Sequence, residues 1–177
     1  MRAALALAFV VMLLSACGTT SNQSSPASQS AAASSVASQG SSSTAAATIH
    51  AEIRGGPLVG TYDAESMSPI CTSGLGGEGA FGVQFAVDRP QGISSVQVLI
   101  PSAVLAQTGT DQFTASLGLG PLVAGTTFTI DPRAEGGTGS VELFYDGGNS
   151  ASISIEGETA QGIGLAIQIE CTQVVQA

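Results

Sequence analysis

The sequence has no lysine, no tryptophan and a single histidine, His50, among its 177 residues. Its four basic residues are all arginines and stand against thirteen carboxylates, which gives a formal net charge of -9 at pH 7. A surface this acidic repels nucleic-acid phosphates and anionic lipid headgroups, so binding driven by counterion release is excluded. We therefore expect no nucleic acid among the partners of this protein.

The same scarcity limits the catalytic sites that the chain can build. A Ser-His or Cys-His triad needs a histidine beside the nucleophile, and a Ser-Lys dyad needs a lysine. The one histidine, His50, falls on a weak first strand pattern, where we expect it to be exposed. Blue-copper and structural zinc sites need more histidine or thiolate ligands than the chain offers. The sequence therefore predicts no catalytic residue, no metal and no cofactor.

Carboxylates support the enzymatic alternative, a carboxylate-dependent hydrolase. Glu156 and Glu158 are two residues apart and would share one face of a strand, as Asp63 and Glu65 would. Two carboxyl groups on opposite sides of a glycosidic bond are the machinery of most glycosidases. Glu156, Glu158 and Asp63 are the candidate residues for such an activity.

Carboxylates also suggest the one metal site worth testing, a calcium site. Calcium takes six to eight oxygen ligands, mostly from loops. The candidate ligands lie in two turns that flank one strand and are Asp131, Glu135, Asp146 and Asn149. Because the two turns fall at opposite ends of that strand, these side chains meet only if other loops contribute.

The first seventeen residues, MRAALALAFVVMLLSAC, are typical of an export signal. Arg2 provides a positive start, and the apolar run over residues 3–14 would rise only ~18 Å as a helix, short of the ~30 Å core of a bilayer. The run ends in Leu14-Ser15-Ala16-Cys17, which resembles the lipobox of bacterial lipoproteins. The resemblance implies a signal peptide over residues 1–16, cleavage before Cys17, and a diacylglycerol on the Cys17 thiol.

The same resemblance predicts a location. Two or three acyl chains on one residue give stable attachment to a membrane. Gly18, rather than an aspartate, follows the cysteine, so the lipoprotein sorting rule would favour the outer membrane in a two-membraned bacterium. In a bacterium with one membrane the anchor would lie on the outer face of the cell membrane. The expected partner is therefore the membrane, bound through the lipid anchor.

A change of composition divides the exported part in two. Residues 18–48 are rich in Ser and Ala and carry no charge and no aromatic side chain, too little apolar surface for a core. We interpret residues 17–48 as the lipidated cysteine followed by a disordered tether, with a mean reach of ~30 Å. Residues 49–177 form one domain of ordinary size.

The domain shows period-two alternation of apolar and polar residues in nine short runs, which is the pattern of half-buried strands. Turn signals such as Asp146-Gly147-Gly148-Asn149 separate the runs. A Ser102 cap before AVLAQT predicts one short helix, which Gly109 would end. We predict an all-β fold, an antiparallel two-sheet sandwich of about eight or nine strands, with a closed β-barrel as the alternative.

The three cysteines fit this scheme. With Cys17 committed to lipid, Cys71 and Cys171 remain in an oxidising compartment, where a disulfide between them is the natural pairing. The bridge would tie the predicted final strand to an early loop.

A glycine-rich stretch next to Cys71 has the spacing of a dinucleotide-binding loop. Gly74, Gly76 and Gly79 match G-x-G-x-x-G, but the run AFGVQFAVD that follows has a strand pattern. A dinucleotide loop opens a helix whose N-terminus binds the pyrophosphate. We interpret the stretch as a connection between the disulfide and a core strand.

The last strand pair, GNSASISIEGETAQGIGLAIQIEC, resembles the ends of small mycobacterial lipoprotein antigens and, in its layout, other tethered lipoproteins of bacteria. The resemblance implies a β fold closed by a disulfide and assigns no binding residue. We expect a membrane-anchored lipoprotein whose β domain is a non-enzymatic binding or interaction module on the cell envelope, with an unidentified protein or small ligand as its partner. Besides the hydrolase, a purely structural envelope protein is the other alternative.

Overall fold

The computed structural model describes residues 44–134 and 136–177, which form two β-sheets around one apolar core. The predicted signal peptide, Cys17, residues 18–43 of the predicted tether, and Glu135 lie outside the described residues. The strands of the described residues are β1 (Ala47–Arg54), β2 (Gly60–Ser66), β3 (Cys71–Ser73), β4 (Phe81–Ala86), β5 (Ile93–Ile100), β6 (Thr114–Leu119), β7 (Thr126–Ile130), β8 (Gly137–Tyr145), β9 (Ala151–Thr159), β10 (Gly164–Cys171) and β11 (Val174–Gln176).

The two sheets differ in size. The five-stranded sheet has the order β2-β1-β10-β9-β8, and all its neighbours are antiparallel. The six-stranded sheet has the order β11-β3-β4-β5-β6-β7, in which only β11 and β3 are parallel. Because each sheet keeps two edge strands, the predicted sandwich is confirmed and the closed barrel is not formed.

Alternation along the strands builds the core. In β1 and in most of β10, buried and exposed residues alternate one by one, and the inward residues of both sheets join a single buried cluster. Removing a Leu, Ile or Phe side chain from water stabilises the fold by ~1.5–3 kcal/mol. The largest fully buried side chains are Phe81, Phe113, Ile49, Ile53, Ile93, Ile100, Leu117, Ile130, Leu143, Ile153, Ile155 and Leu165.

Two strands, β3 and β11, raise the total among the described residues to eleven, above the eight or nine that the sequence predicts. Each has three residues, too few to show an alternating pattern, and they form strands because β3 pairs with β4 and β11 pairs with β3. The first strand also begins two residues before the predicted domain boundary. It does so because Ala46 donates to the Ser66 carbonyl at 2.8 Å and accepts from the Thr172 N–H at 3.0 Å.

The predicted short helix is confirmed as α1 (Ala103–Ala106), and a 3-10 turn covers Pro132–Ala134. The Ser102 hydroxyl accepts a hydrogen bond from the Leu105 N–H at 3.4 Å, as expected of a helix cap. Within the described part of the chain, no helix has the length and apolar character needed to cross a membrane.

The disulfide joins Cys71 and Cys171, 100 residues apart, and so links the two sheets. Cys171 is the last residue of β10, and Cys71 is the first residue of β3. After Cys171 the chain crosses to the other sheet, where Val174 of β11 pairs with Cys71 of β3. The disulfide and the pairing of β11 with β3 thus both hold the C-terminal residues against Cys71, at the start of β3.

We predict that replacing both Cys71 and Cys171 with alanine lowers the free energy of unfolding by ~4–5 kcal/mol. The physical reason is the loop of ~100 residues that the bridge closes in the unfolded chain, worth ~4.7 kcal/mol in the chain-entropy treatment. Urea unfolding with and without reductant measures this loss, and the reduced wild type should have the same free energy of unfolding as the double variant. Equal unfolding midpoints for the oxidised wild type and the variant would show that the bridge contributes nothing.

Candidate binding faces

The outward side chains of the five-stranded sheet form an acidic face. Seven of the thirteen carboxylates lie at outward positions of this sheet and all are exposed, whereas its only outward basic side chains are Arg54 and His50. The carboxylates that define the acidic face are Glu52, Asp63, Glu65, Glu142, Glu156, Glu158 and Glu170.

His50 and Asp63 form a cross-strand pair on this face. They lie opposite each other on β1 and β2, and His50 Nδ1 is 2.6 Å from Asp63 Oδ1. The side chains are 51% and 76% exposed, and exposed ion pairs typically contribute 0–1 kcal/mol. His50 is therefore a surface residue, as the sequence predicts, and its ring is hydrogen-bonded to a neighbouring carboxylate of the acidic face.

The structure separates the candidate hydrolase residues. Glu156 and Glu158 lie on β9 and line a depression of about 440 Å³ together with Arg54. Asp63 is three strands away on β2, a distance of ~14 Å at the usual strand spacing. Arg54 donates to Glu52 at 3.1 Å, and this hydrogen bond raises the pKa of Arg54, with a smaller contribution from the charge of Glu156. Glu156 and Glu158 thus face an arginine that is already paired.

Of the four candidate calcium ligands, the structure describes Asp131, Asp146 and Asn149, and Asp131 lies in a different turn from the other two. Asp131 follows β7, where its carboxylate lies 3.9 Å from the Arg133 guanidinium. Asp146 and Asn149 lie in the turn between β8 and β9, and Asp146 accepts a hydrogen bond from Gly148. The nine-residue β8 lies between the two turns, ~27 Å of extended chain. Across residues 44–134 and 136–177, no three His, Cys, Asp or Glu side chains come close enough to hold a metal ion.

The glycine-rich stretch connects β3 to β4, as the sequence predicts. Gly74, Gly76 and Gly79 have φ values of 88°, 95° and 78°, a left-handed backbone that favours glycine. Hydrogen bonds from Gly77 to Gly74 and from Gly74 to Ala80 close the loop. The stretch therefore leads from one strand into another, without the helix that a dinucleotide loop opens.

The outward positions of the six-stranded sheet define an uncharged face. No Asp, Glu, Arg or His occupies an outward position of its six strands, all of which the structure describes. The outward residues are Thr72, Gly82, Gln84, Ala86, Ser95, Gln97, Leu99, Thr114, Ser116, Gly118, Thr127, Thr129 and Val175.

A shallow groove of about 390 Å³ crosses the uncharged face. Leu75, Leu99, Gln97 and Ser116 are among the residues that line it. Leu75 lies directly on the sheet because Gly82 has no side chain, and a β-carbon at that position would collide with it. The groove thus combines two leucines with hydrogen-bonding amide and hydroxyl groups.

Sequence reasoning missed this division of charge between the two faces. The alternating patterns show which residues of each strand point outward, but they do not show which strands share a sheet.

No family model matches the chain, and no curated protein or solved structure matches it.

We predict that Ser154→Lys on the acidic face raises the free energy of unfolding by ~0.5 kcal/mol, the usual size of an opposite-charge cross-strand pair. Ser154 lies directly opposite Glu142, and Gln168 is on its other side. Urea unfolding at low and high salt measures the gain, which should shrink at high salt.

The matched control is Gln97→Lys on the uncharged face, between Gln84 and Ser116. The effect of Gln97→Lys on the free energy of unfolding should not shrink at high salt as the effect of Ser154→Lys does. Equal salt dependence of the two variants would contradict the division of charge between the faces.

Proposed function

We propose that this chain is an exported bacterial lipoprotein that carries lipid on Cys17 and displays the sandwich as a non-enzymatic binding module on the cell envelope. The export signal and the lipobox Leu14-Ser15-Ala16-Cys17 support the anchor. The sandwich held by the Cys71–Cys171 bridge supports a rigid, displayed domain. The anchor lies in the outer membrane of a two-membraned bacterium and otherwise on the outer face of the cell membrane.

The observation that carries the binding role is the uncharged face. Charged groups lose hydration when an interface forms, so the centres of protein interfaces are depleted in them. In a chain with thirteen carboxylates, a six-stranded sheet with no charged residue at its outward positions is a surface that a partner can cover at little electrostatic cost, and the Arg133 guanidinium that reaches it already donates to Thr114 at 2.9 Å. Leu75 and Leu99 supply apolar contact in its groove, and Gln97 and Ser116 supply hydrogen bonds.

The surroundings of the acidic face favour binding over hydrolysis. A catalytic carboxyl works in an enclosed site where water is controlled and its charge is tuned by burial or by a close partner. Glu156 and Glu158 are exposed on an open sheet, and Asp63 lies three strands from them. We assign the acidic face to keeping the displayed domain soluble.

The anchor is tested by Cys17→Ser. Because the thiol is the only group at that position that can form the thioether, we expect the substitution to abolish labelling with radioactive palmitate and to leave the unprocessed chain. Cys71→Ser is the control, because it removes a cysteine and should leave the label in place. Label that persists on the Cys17→Ser chain would show that the anchor is wrongly assigned.

The binding surface is tested by placing a photo-crosslinking side chain at Gln97 and, separately, at Ser154, in cells that produce the protein. Both positions lie in the middle of a strand that is paired on both sides, one on the uncharged face and one on the acidic face. We expect discrete crosslinked products from position 97 and none from position 154. Products from position 154 alone would place the contact on the acidic face and refute the proposal.

A further inference from the structure

The tetrapeptide Gly-Pro-Leu-Val occurs twice in the chain, at residues 56–59 and 120–123. The first copy lies in the loop between β1 and β2, and the second in the loop between β6 and β7, so they belong to different sheets. The fold brings both loops to the same end of the sandwich, where Leu58 and Pro121 line one depression of about 370 Å³. We call the two tetrapeptides together the GPLV tip.

The GPLV tip exposes aliphatic side chains from both loops. Val59 is 61% exposed, Leu122 is 46% exposed, and Val123 is 101% exposed, the highest value among the exposed large hydrophobic residues. Full exposure of an aliphatic side chain forgoes the stabilisation that burial gives.

Hydrogen bonds hold the second loop in this shape. The Gly125 N–H donates to the Pro121 carbonyl at 2.6 Å, and the Leu122 N–H donates to Asp88 Oδ1 at 3.2 Å. Val123 is the residue between these two bonds. It is thus presented to solvent by a loop that is fixed on both sides.

The first loop is fixed in a similar way. The Tyr62 hydroxyl donates to the Leu58 carbonyl at 3.0 Å, and the half-buried Leu58 packs against the core. Val59, the next residue, then points away from the sheet into solvent. Both copies therefore expose the valine of the tetrapeptide.

The end of the sandwich that carries the tip has little charge. In the three loops that line the depression, residues 55–59, 87–92 and 120–125, the charged residues are Asp88 and Arg89. One oxygen of Asp88 already accepts the Leu122 N–H, and Arg89 lies over the Phe85 ring at 5.8 Å. Arg54, which directly precedes the first loop, and Glu158 lie on the two sides of Gly164 at this end of the five-stranded sheet, so the charges nearest the tip are of both signs.

We propose that the GPLV tip inserts Val59, Leu122 and Val123 into the boundary between headgroups and acyl chains of a lipid bilayer. A standard protein interface buries ~800 Å² on each partner, far more than three aliphatic side chains on two narrow loops provide. A bilayer needs no matching surface and accepts small protruding apolar groups. The near-neutral charge of the tip fits zwitterionic lipid headgroups.

The tip and the point where the chain leaves for Cys17 lie at opposite ends of β1, ~26 Å apart. The 26 residues between Cys17 and Thr44 span at most ~90 Å, which is enough for the tip to reach the bilayer that holds the anchor. If the proposed lipid anchor holds, the domain is already concentrated at the membrane, and a weak insertion is enough to orient it. The uncharged face then stands beside the bilayer rather than facing it.

The test uses the lack of tryptophan in the chain. The described residues, 44–134 and 136–177, share one apolar core, so a chain of residues 44–177 can be studied as a domain. Val123→Trp places the only tryptophan at the tip, and Phe144→Trp places it on the acidic face, where Phe144 is 76% exposed. An N-terminal histidine tag captured by nickel-chelating lipid in phosphatidylcholine vesicles replaces the anchor, so the result does not depend on Cys17.

We expect the emission of Val123→Trp to move to shorter wavelength on vesicles and to be shielded from acrylamide, while Phe144→Trp behaves as it does in buffer. Adding Val59→Asp to Val123→Trp should reduce the shift because both loops insert together. Adding Val175→Asp, an exposed valine on β11, should leave it unchanged. Thermal melts of all variants check that the fold is kept.

Two results would overturn the proposal. Emission from position 123 that stays the same on vesicles as in buffer would show that the tip remains in water. A shift without vesicles that grows with protein concentration would show that the tip contacts a second copy of the chain. Neither result would bear on the lipid at Cys17, because the tag provides the attachment.

Discussion

Alternation of side chains along each strand is the constraint on which the other features of this protein depend. Successive residues of a strand point to opposite sides, so the pattern that buries Ile49, Ile167 and Val96 also determines which residues face water. Because burial between the sheets supplies most of the stability, the outward positions are free to vary. Two surfaces of different chemistry can therefore coexist on one core.

The Cys71–Cys171 bridge complements this packing at the point where the chain changes sheets. β3 and β11 have only three residues each, and a strand pair of that length is not stable by itself. The bridge and the pairing of Val174 with Cys71 hold both strands at the edge of the six-stranded sheet. The bridge thus stabilises the sheet edge in addition to lowering the conformational entropy of the unfolded chain.

The surfaces divide the proposed work among themselves. In this proposal, the seven carboxylates on the five-stranded sheet keep the displayed domain soluble and apart from its copies. The uncharged face is the proposed partner surface, and the GPLV tip is the proposed contact with lipid. An anchored domain that touches the bilayer at one end would present its uncharged face in a constant direction.

Much of the architecture follows from the sequence because its causes are local. Period-two runs predict eight or nine strands, Ser102 predicts the helix start, and the two cysteines that remain once Cys17 is assigned to a lipid predict the bridge. β3 and β11 escape prediction because three residues carry no period and need a partner to be strands. The separation of Asp63 from Glu156 escapes it too, because it depends on the two strands that lie between them.

What the sequence alone determined is therefore the two sides of each strand that has an alternating pattern, the class of fold and the apolar character of the Gly-Pro-Leu-Val loops. The tertiary structure decided which strands share a sheet, and with that which outward residues gather into an acidic or an uncharged face. It also decided that loops 64 residues apart meet at one end. The physical reason is that backbone hydrogen bonds between strands are alike in every pairing, so the choice among pairings depends on how all the apolar faces pack at once.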